Sequence, residues 1–200
     1  MKIVFLDRDG VINEDKPDYV KSWEEFSFLP GSKEAIKSLN DAKYGIIVVT
    51  NQAGIAKGLV SKITVEEINR RMRGEVEEAG GEILSVYVCP HQTADNCQCR
   101  KPKTLLFKQA IKKFKINCKQ SFLVGNAARD IEAGRKIGCQ TILVMDKEFT
   151  QEELKKIKPR FTADSLKEAV SLIIKPRTKK QAVDRGQKTE DRKQKIEDRG

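Results

Sequence analysis

The sequence predicts an α/β fold: a doubly wound, Rossmann-like parallel sheet with helices on both faces. Two observations carry that prediction. Short runs that are apolar throughout alternate with segments of helical spacing, which is the pattern of strand–helix–strand units. Nearly every apolar run also stops at a polar or metal-ligating residue, and in such sheets ligands bind at the carboxyl ends of the strands.

The elements follow in order. Ile3-Val4-Phe5-Leu6 ends at Asp7, and Ile46-Ile47-Val48-Val49 ends at Thr50-Asn51. Ile83 to Val88 ends at Cys89, Phe122-Leu123-Val124 ends at Gly125-Asn126, and Ile142 to Met145 ends at Asp146. Such apolar, β-branched runs suit strands covered on both faces. Ser32 is read as the cap of a helix reaching about Ala42. Thr64-x-x-Glu67 reads as a capping box that opens a helix to about Ala79. Leu105, Leu106, Ala110, Ile111 and Phe114 give helical spacing from Lys103 to Lys115. A further helix spans Ala127 to Ile137 and stops at Gly138. Thr150-x-x-Glu153 and Ser165-x-x-Glu168 open two more. Between Asp9 and Pro30-Gly31 there is no helical pattern, yet the stretch holds Asp15, Asp18, Tyr19, Trp23, Phe26 and Phe28. A connection of that length is either a substrate-binding element or a packed surface loop.

Composition bounds the rest. Two hundred residues, 34% charged and 38% hydrophobic, make one globular domain of ordinary size. No apolar run approaches the roughly 18 residues of a membrane span. Ile3 to Leu6 is too short for a secretory signal core, which predicts a cytoplasmic protein. Residues 1–174 read as the folded domain. From Lys175 to Gly200 the hydrophobic residues are Ala182, Val183 and Ile196, so 175–200 reads as a disordered, low-complexity tail. That tail holds ten Lys/Arg and five Asp/Glu, so half of the net +10 lies there. A basic chain suits nucleic acid, anionic membrane or a phosphorylated small molecule, and charge alone does not choose.

Motifs choose. In Asp7-Arg8-Asp9-Gly10, two carboxylates two residues apart at a strand mouth raise each other's proton affinity unless a cation stands between them. A divalent cation would relieve this and would let a carboxylate approach a phosphate. The first carboxylate then suits a nucleophile and the second a general acid/base. Thr50-Asn51-Gln52 offers a hydroxyl and amides to phosphoryl oxygens without adding charge. Arg100-Lys101 sets two cations side by side, suited to clamping phosphate.

There are five cysteines, and an odd count without a secretion signal argues against a disulfide framework. Cys89-x-His91-x5-Cys97-x-Cys99 gathers three thiolates and the chain's one histidine within eleven residues. Four such ligands with no spare position suit a closed, structural tetrahedral zinc site. That site would pin the loop that continues into Arg100 and Lys101. Cys118 and Cys139 read as small buried hydrophobes.

As a set, Asp7-Arg8-Asp9-Gly10-Val11-Ile12-Asn13, Thr50 to Gly58, the Cys89 to Pro102 loop and Val124-Gly125-Asn126 resemble the haloacid dehalogenase superfamily of phosphatases. More narrowly, they resemble the D-glycero-D-manno-heptose 1,7-bisphosphate 7-phosphatases and their relatives, the histidinol-phosphate phosphatases. Asp18-Tyr19-Val20 and Gly54 to Gly58 look more like the heptose type. The resemblance runs from about Lys2 to about Asp146. It implies the haloacid dehalogenase type of sheet with a zinc-binding loop. It implies catalytic roles for Asp7 (nucleophile, forming an aspartyl-phosphate), Asp9 (acid, then base), Thr50 and Lys101 (phosphoryl stabilisers). It implies substrate contacts at Arg8, Asp15, Lys16, Pro17, Asp18, Asn51, Gln52, Ala53 and Arg100. Mg2+ would be held by Asp7, the Asp9 backbone carbonyl and Asn126, and Zn2+ by Cys89, His91, Cys97 and Cys99.

The family usually has Asp where this chain has Asn126, which implies weaker magnesium binding, with Asp130 placed to compensate. Ala127 stands where some relatives carry Lys. The implied activity is removal of the 7-phosphate of the heptose bisphosphate, in the biosynthesis of nucleotide-activated heptose. The alternatives are a histidinol-phosphate phosphatase of histidine biosynthesis and a non-catalytic descendant. Polynucleotide 3′-phosphatases share the first two motifs but, as a rule, not the zinc loop. The expected partner is therefore a small sugar phosphate, with no nucleic acid and no membrane, and the expected state is a monomer.

Overall fold

A computed structural model describes residues 1–145 and 148–174. The tail from Lys175, and Asp146 at the end of the fifth apolar run, lie outside the described residues. Among those described, β1 (Ile3–Leu6), β2 (Gly45–Asn51), β3 (Ser85–Cys89), β4 (Phe122–Gly125), β5 (Gln140–Val144) and β6 (Phe161–Ala163) form one sheet in the order β3-β2-β1-β4-β5-β6. Every pairing is parallel. The chain starts in the centre, winds out through β2 to β3, returns to lay β4 beside β1, and winds out to the other edge. Strand order reverses between β1 and β4, and crevices for ligands open at such points.

The helices are α1 (Ser32–Asp41), α2 (Lys62–Glu78), α3 (Leu105–Phe114), α4 (Ala128–Lys136), α5 (Gln151–Ile157) and α6 (Leu166–Ile174). Strand side chains divide between two cores with a period of two. Val4, Leu6, Ile46 and Val48 meet Ile36 and Leu39 of α1, Ile68 and Met72 of α2, and Ala169 and Ile173 of α6. Ile3, Phe5, Ile47 and Val49 meet Leu106, Phe107 and Ala110 of α3 and Ala133 of α4. Both faces are dry, which is why these strands read as continuous apolar runs. Each fully buried side chain of this kind contributes about 1.5–3 kcal/mol.

Three local features differ from the sequence reading. The short strand β6 was not expected; Phe161-Thr162-Ala163 is too brief to show a pattern. Ser32 does not cap α1: it is the first helical residue, 1% exposed, and Gly31 takes the cap position in the left-handed region at φ 76°. The second helix begins before Thr64. Ser61 is its cap, its Oγ accepting from the Thr64 N–H at 2.9 Å. Glu67, freed from any capping role, pairs instead with Arg70 and Arg71. The box at α5 forms as expected, the Thr150 N–H donating to Glu153 Oε2 at 2.8 Å and the Glu153 N–H to Thr150 Oγ1 at 3.2 Å.

The stretch from Asp9 to Pro30 is packed onto the core in one part and borders a cavity in another. Val20 and Phe26 are buried in the core, and Trp23 stacks on Phe26 at 5.0 Å between ring centroids. Asp15, Lys16, Pro17, Tyr19 and Val20 line a cavity above the sheet.

Candidate active site

Asp7 leaves β1 at the point where strand order reverses, and its N–H still donates to the Val124 carbonyl of β4 at 3.0 Å. The chain then turns sharply. The Arg8 carbonyl accepts from the N–H groups of Val11, Ile12 and Asn13, and Gly10 adopts a φ of 77°, a region costly for side chains. This turn brings the Asp9 side chain back over the strand ends. Thr50 and Gln52 arrive from β2, both 1% exposed. Asn51 points sideways instead. Its Oδ1 accepts from the Lys101 N–H at 3.0 Å and its Nδ2 donates to the Lys101 carbonyl at 3.3 Å. The loop carrying Lys101 is thereby fixed to the end of β2.

Lys101 is 3% exposed. Its Nζ lies 2.8 Å from Asp7 Oδ2 and 2.7 Å from Asp130 Oδ1, and donates to the Val49 carbonyl at 2.8 Å. Burial alone would lower the lysine's pKa, but Asp130 and Asp7 outweigh it and the net shift is upward. For Asp7 the largest influence is burial, which pushes the carboxyl up. Lys101 opposes this, Asp130 and Asp9 add to it, and the group rests at about 6. Asp130 is fully buried, and its Oδ2 accepts from the Ala127 N–H at 3.1 Å. It is therefore committed to Lys101 and to the start of α4.

Asp9 is held from three sides. Arg8 Nη2 donates to Asp9 Oδ1 at 2.9 Å, Asn13 Nδ2 to Oδ1 at 2.9 Å, and Gln52 Nε2 to Oδ2 at 2.7 Å. Burial would raise this carboxyl, but the Arg8 charge and these hydrogen bonds hold it below its ordinary value. Gln52 Nε2 also reaches Thr50 Oγ1 at 2.8 Å, which links the two strand ends.

Arg8 was expected to touch substrate; its side chain turns inward and is 0% exposed. Its Nη1 donates to Asn69 Oδ1 of α2 at 3.1 Å, so the guanidinium sits behind Asp9, where it can orient the carboxylate, while the Arg8 N–H donates to Asp7 Oδ1 at 2.7 Å. The pattern of a cation between two acids gave no hint of its direction. Asn13, though it ends the first motif, and Asn69 on α2 were given no role from the sequence, because a neutral amide does not announce which charge it faces.

The cavity, of about 260 Å³, is lined by Asp7, Asp9, Asp15, Lys16, Pro17, Thr50, Asn51, Gln52, Ala53 and Arg100 among the expected residues. Asp18 is not in its wall; its side chain is exposed and pairs with Lys21. Tyr19, Val20 and Arg129 line the wall without having been expected. Tyr19 holds a φ of 69°, unusual for a side chain of its size, and its ring lies 5.2 Å from Lys57 Nζ.

Two donor sets fit metal ions. Asp7 and Asn126, each 5% exposed, stand at the ends of the neighbouring strands β1 and β4. A carboxylate and an amide oxygen there suit a hard divalent cation such as Mg2+. Asn126 brings no charge, and Asp130 is engaged elsewhere. The second set is Cys89, His91, Cys97 and Cys99, whose ligand atoms all lie within 4.8 Å of one another. Their separations include 3.7 Å for Cys89–Cys97, 3.4 Å for Cys97–Cys99 and 3.2 Å for His91 Nδ1–Cys99. These are close to the edges of a tetrahedron with Zn–S bonds of about 2.3 Å. Burial raises the Cys89 thiol to about 12 in the absence of an ion, so binding would release its proton. Arg100 Nη1 donates to the His91 carbonyl at 3.1 Å, so this cluster also braces the arginine.

Comparison with known proteins agrees with this geometry. The HAD-hydrolase-like family profile matches residues 98–169. A D-glycero-β-D-manno-heptose-1,7-bisphosphate 7-phosphatase of Neisseria meningitidis is 41% identical over 145 residues, covering 72% of this chain and 78% of that one. A namesake from Pseudomonas putida is 40% identical over 144 residues, covering 72% and 82%. The crystal structure of D,D-heptose 1,7-bisphosphate phosphatase from B. bronchiseptica, complexed with magnesium and phosphate, superposes with a TM-score of 0.81 at 30% identity, covering 88% of this chain and all of that one. The chain belongs to the haloacid dehalogenase-like hydrolases, in the family of the heptose-1,7-bisphosphate 7-phosphatases.

Proposed function

We propose that the protein is a magnesium-dependent phosphatase that removes the 7-phosphate of D-glycero-D-manno-heptose 1,7-bisphosphate. The observation that carries this reading is the convergence of Asp7, Asp9 and Thr50 from the ends of adjacent strands on one cavity, with Lys101 buried 2.8 Å from Asp7. A Mg2+ ion held by Asp7, the Asp9 carbonyl and Asn126 would neutralise phosphate charge. The residues themselves supply the rest. An Asp7 carboxylate oxygen attacks phosphorus, the bond from phosphorus to the sugar oxygen breaks, and that oxygen takes a proton from Asp9. Arg8 favours ionised Asp9 at rest, and an incoming phosphate dianion raises its proton affinity. Water then attacks the aspartyl-phosphate, Asp9 accepts its proton, and Asp7 is regenerated. Thr50 and Lys101 stabilise the phosphoryl oxygens as charge builds. Arg100, braced by the zinc loop, recognises substrate, together with the wall from Asp15 to Pro17 and from Asn51 to Ala53.

The same reading makes 1–174 the catalytic domain and 175–200 an appended tail. The protein acts as a cytoplasmic monomer on a small sugar phosphate, without nucleic acid. What supports a small substrate is the modest cavity, and no helix among the described residues is long and apolar enough to cross a membrane. The pathway supplied is that of nucleotide-activated heptose. The test is phosphate release, with excess magnesium, from both anomers of the heptose bisphosphate and from histidinol phosphate, with Asp7→Asn in parallel. Preference for a bisphosphate, lost in the variant, is expected. Preference for histidinol phosphate overturns the substrate, and silence on all three overturns the enzyme.

A further inference from the structure

One buried amide in α2 stands where a helix facing the sheet normally carries an apolar side chain. The inward face of α2 is Val65, Ile68, Asn69, Met72 and Val76, and Asn69 is 6% exposed. An amide buried in that row is costly unless its polar atoms are paired. Its partner belongs to the site: Asn69 Oδ1 accepts from Arg8 Nη1 at 3.1 Å. Arg8 directs its remaining contacts at one carboxylate. Its Nε lies 3.1 Å from Asp9 Oδ1, and its Nη2 lies 2.9 Å from Oδ1 and 3.2 Å from Oδ2. The guanidinium also lies over the Phe26 ring, 6.0 Å from its centroid. A planar fork with one edge on a carboxylate keeps a fixed direction when its face and its far end are held as well. Phe26 meets the face, and Asn69 meets the far end.

We propose that Asn69 is a positioning residue for the general acid: through Arg8 it aims the Asp9 carboxyl at the leaving oxygen. The proposal rests on the phosphatase reading and deepens it. Asn69 is absent from the wall of the substrate cavity, so it acts only through the arginine. The residue type fits the task. A carboxylate at position 69 would compete with Asp9 for the same guanidinium. A neutral acceptor fixes the fork and leaves its charge to Asp9. Asn13 and Gln52 hold Asp9 from other sides, so losing Asn69 tilts the acid without releasing it.

The test compares kcat/KM for two leaving groups, the sugar oxygen of the heptose 1,7-bisphosphate and the aryl oxygen of p-nitrophenyl phosphate. A nitrophenolate departs without a proton, whereas a sugar oxygen needs one, so only the first substrate depends on where Asp9 points. Because kcat/KM covers the steps up to departure of the alcohol, later hydrolysis of the aspartyl-phosphate does not enter. Asn69→Leu keeps the size and removes the acceptor. It lowers kcat/KM for the sugar phosphate roughly 10- to 100-fold and for the aryl phosphate less than about threefold. Asn69→Ser, polar but too short to reach Arg8, moves the ratio the same way, so the result does not hang on one variant folding. Asn69→Gln, for which a neighbouring cavity of about 450 Å³ leaves room, keeps an amide oxygen and recovers part of the loss. In an Arg8→Met background, Asn69→Leu leaves the ratio where Arg8→Met put it. A ratio unchanged within about twofold in Asn69→Leu and Asn69→Ser overturns the proposal, because a residue that only supports the fold lowers both substrates alike. A further fall of the ratio in the Arg8→Met background overturns the route through Arg8. Absence of turnover of both substrates by the unsubstituted protein overturns the phosphatase reading instead, and is seen without any variant.

Discussion

Replacing Lys101 by methionine removes the charge and keeps most of the stem. Its Nζ is the shared partner of Asp7 at 2.8 Å and Asp130 at 2.7 Å, in a site where the three side chains are all nearly inaccessible. Breaking a buried pair leaves an uncompensated charge and costs about 3–5 kcal/mol. Two carboxylates are stranded here, so the upper half of that range applies at neutral pH. With a urea slope near 2 kcal/mol per molar, the midpoint falls by about 2 M. The pH dependence has a definite sign. Asp7 already sits above its ordinary value, at about 6, and loses its main neutralising neighbour in the variant. A carboxyl whose folded-state pKa is raised destabilises above that pKa and recovers as it takes up a proton. The deficit of Lys101→Met is therefore larger at pH 8 than at pH 5. The assay is urea unfolding of the magnesium-free, zinc-replete protein at both pH values, with Lys101→Met/Asp130→Asn as a control that removes one stranded charge. A midpoint shift below about 0.5 M at pH 8, or a deficit that grows on acidification, refutes the argument.

Three further outcomes are expected. Asn126→Asp restores a charged ligand and lowers the magnesium concentration for half-maximal turnover about tenfold, at the low end of the effects seen when metal ligation is altered; a magnesium titration with no shift removes position 126 from the metal site. Cys97→Ser loses bound zinc by metal analysis and lowers kcat/KM by roughly 10- to 100-fold, because Arg100 and Lys101 follow Cys99 directly; zinc loss with full activity would show the clamp to be self-supporting. Gly125→Ala places a Cβ 2.3 Å from Asp130 Cβ and costs about 1–3 kcal/mol in urea unfolding, with a fall in activity as Asp130 is pushed off Lys101; wild-type stability would mean that α4 yields freely.

The parts of this protein legible in its sequence are those decided by local chemistry. Strands dry on both faces must be apolar throughout, so Ile3 to Leu6 and Ile46 to Val49 announced themselves, and the acids and hydroxyl that follow marked the site. The Cys/His cluster was legible because its thiols and imidazole lie within one loop. Helix starts were less so: Ser61 and Thr64 are equally good caps in sequence, and the packing of Val65, Ile68 and Met72 against the sheet chooses the phase. Direction was not legible at all. Only the tertiary structure turns Arg8 inward to Asn69, sends Asn51 to the Lys101 backbone, and leaves Arg129 facing the cavity. Each of these depends on a neighbour from another strand or helix. A sequence names the charges that must be neutralised, but which partner reaches each one is decided by where the sheet order sets the chain.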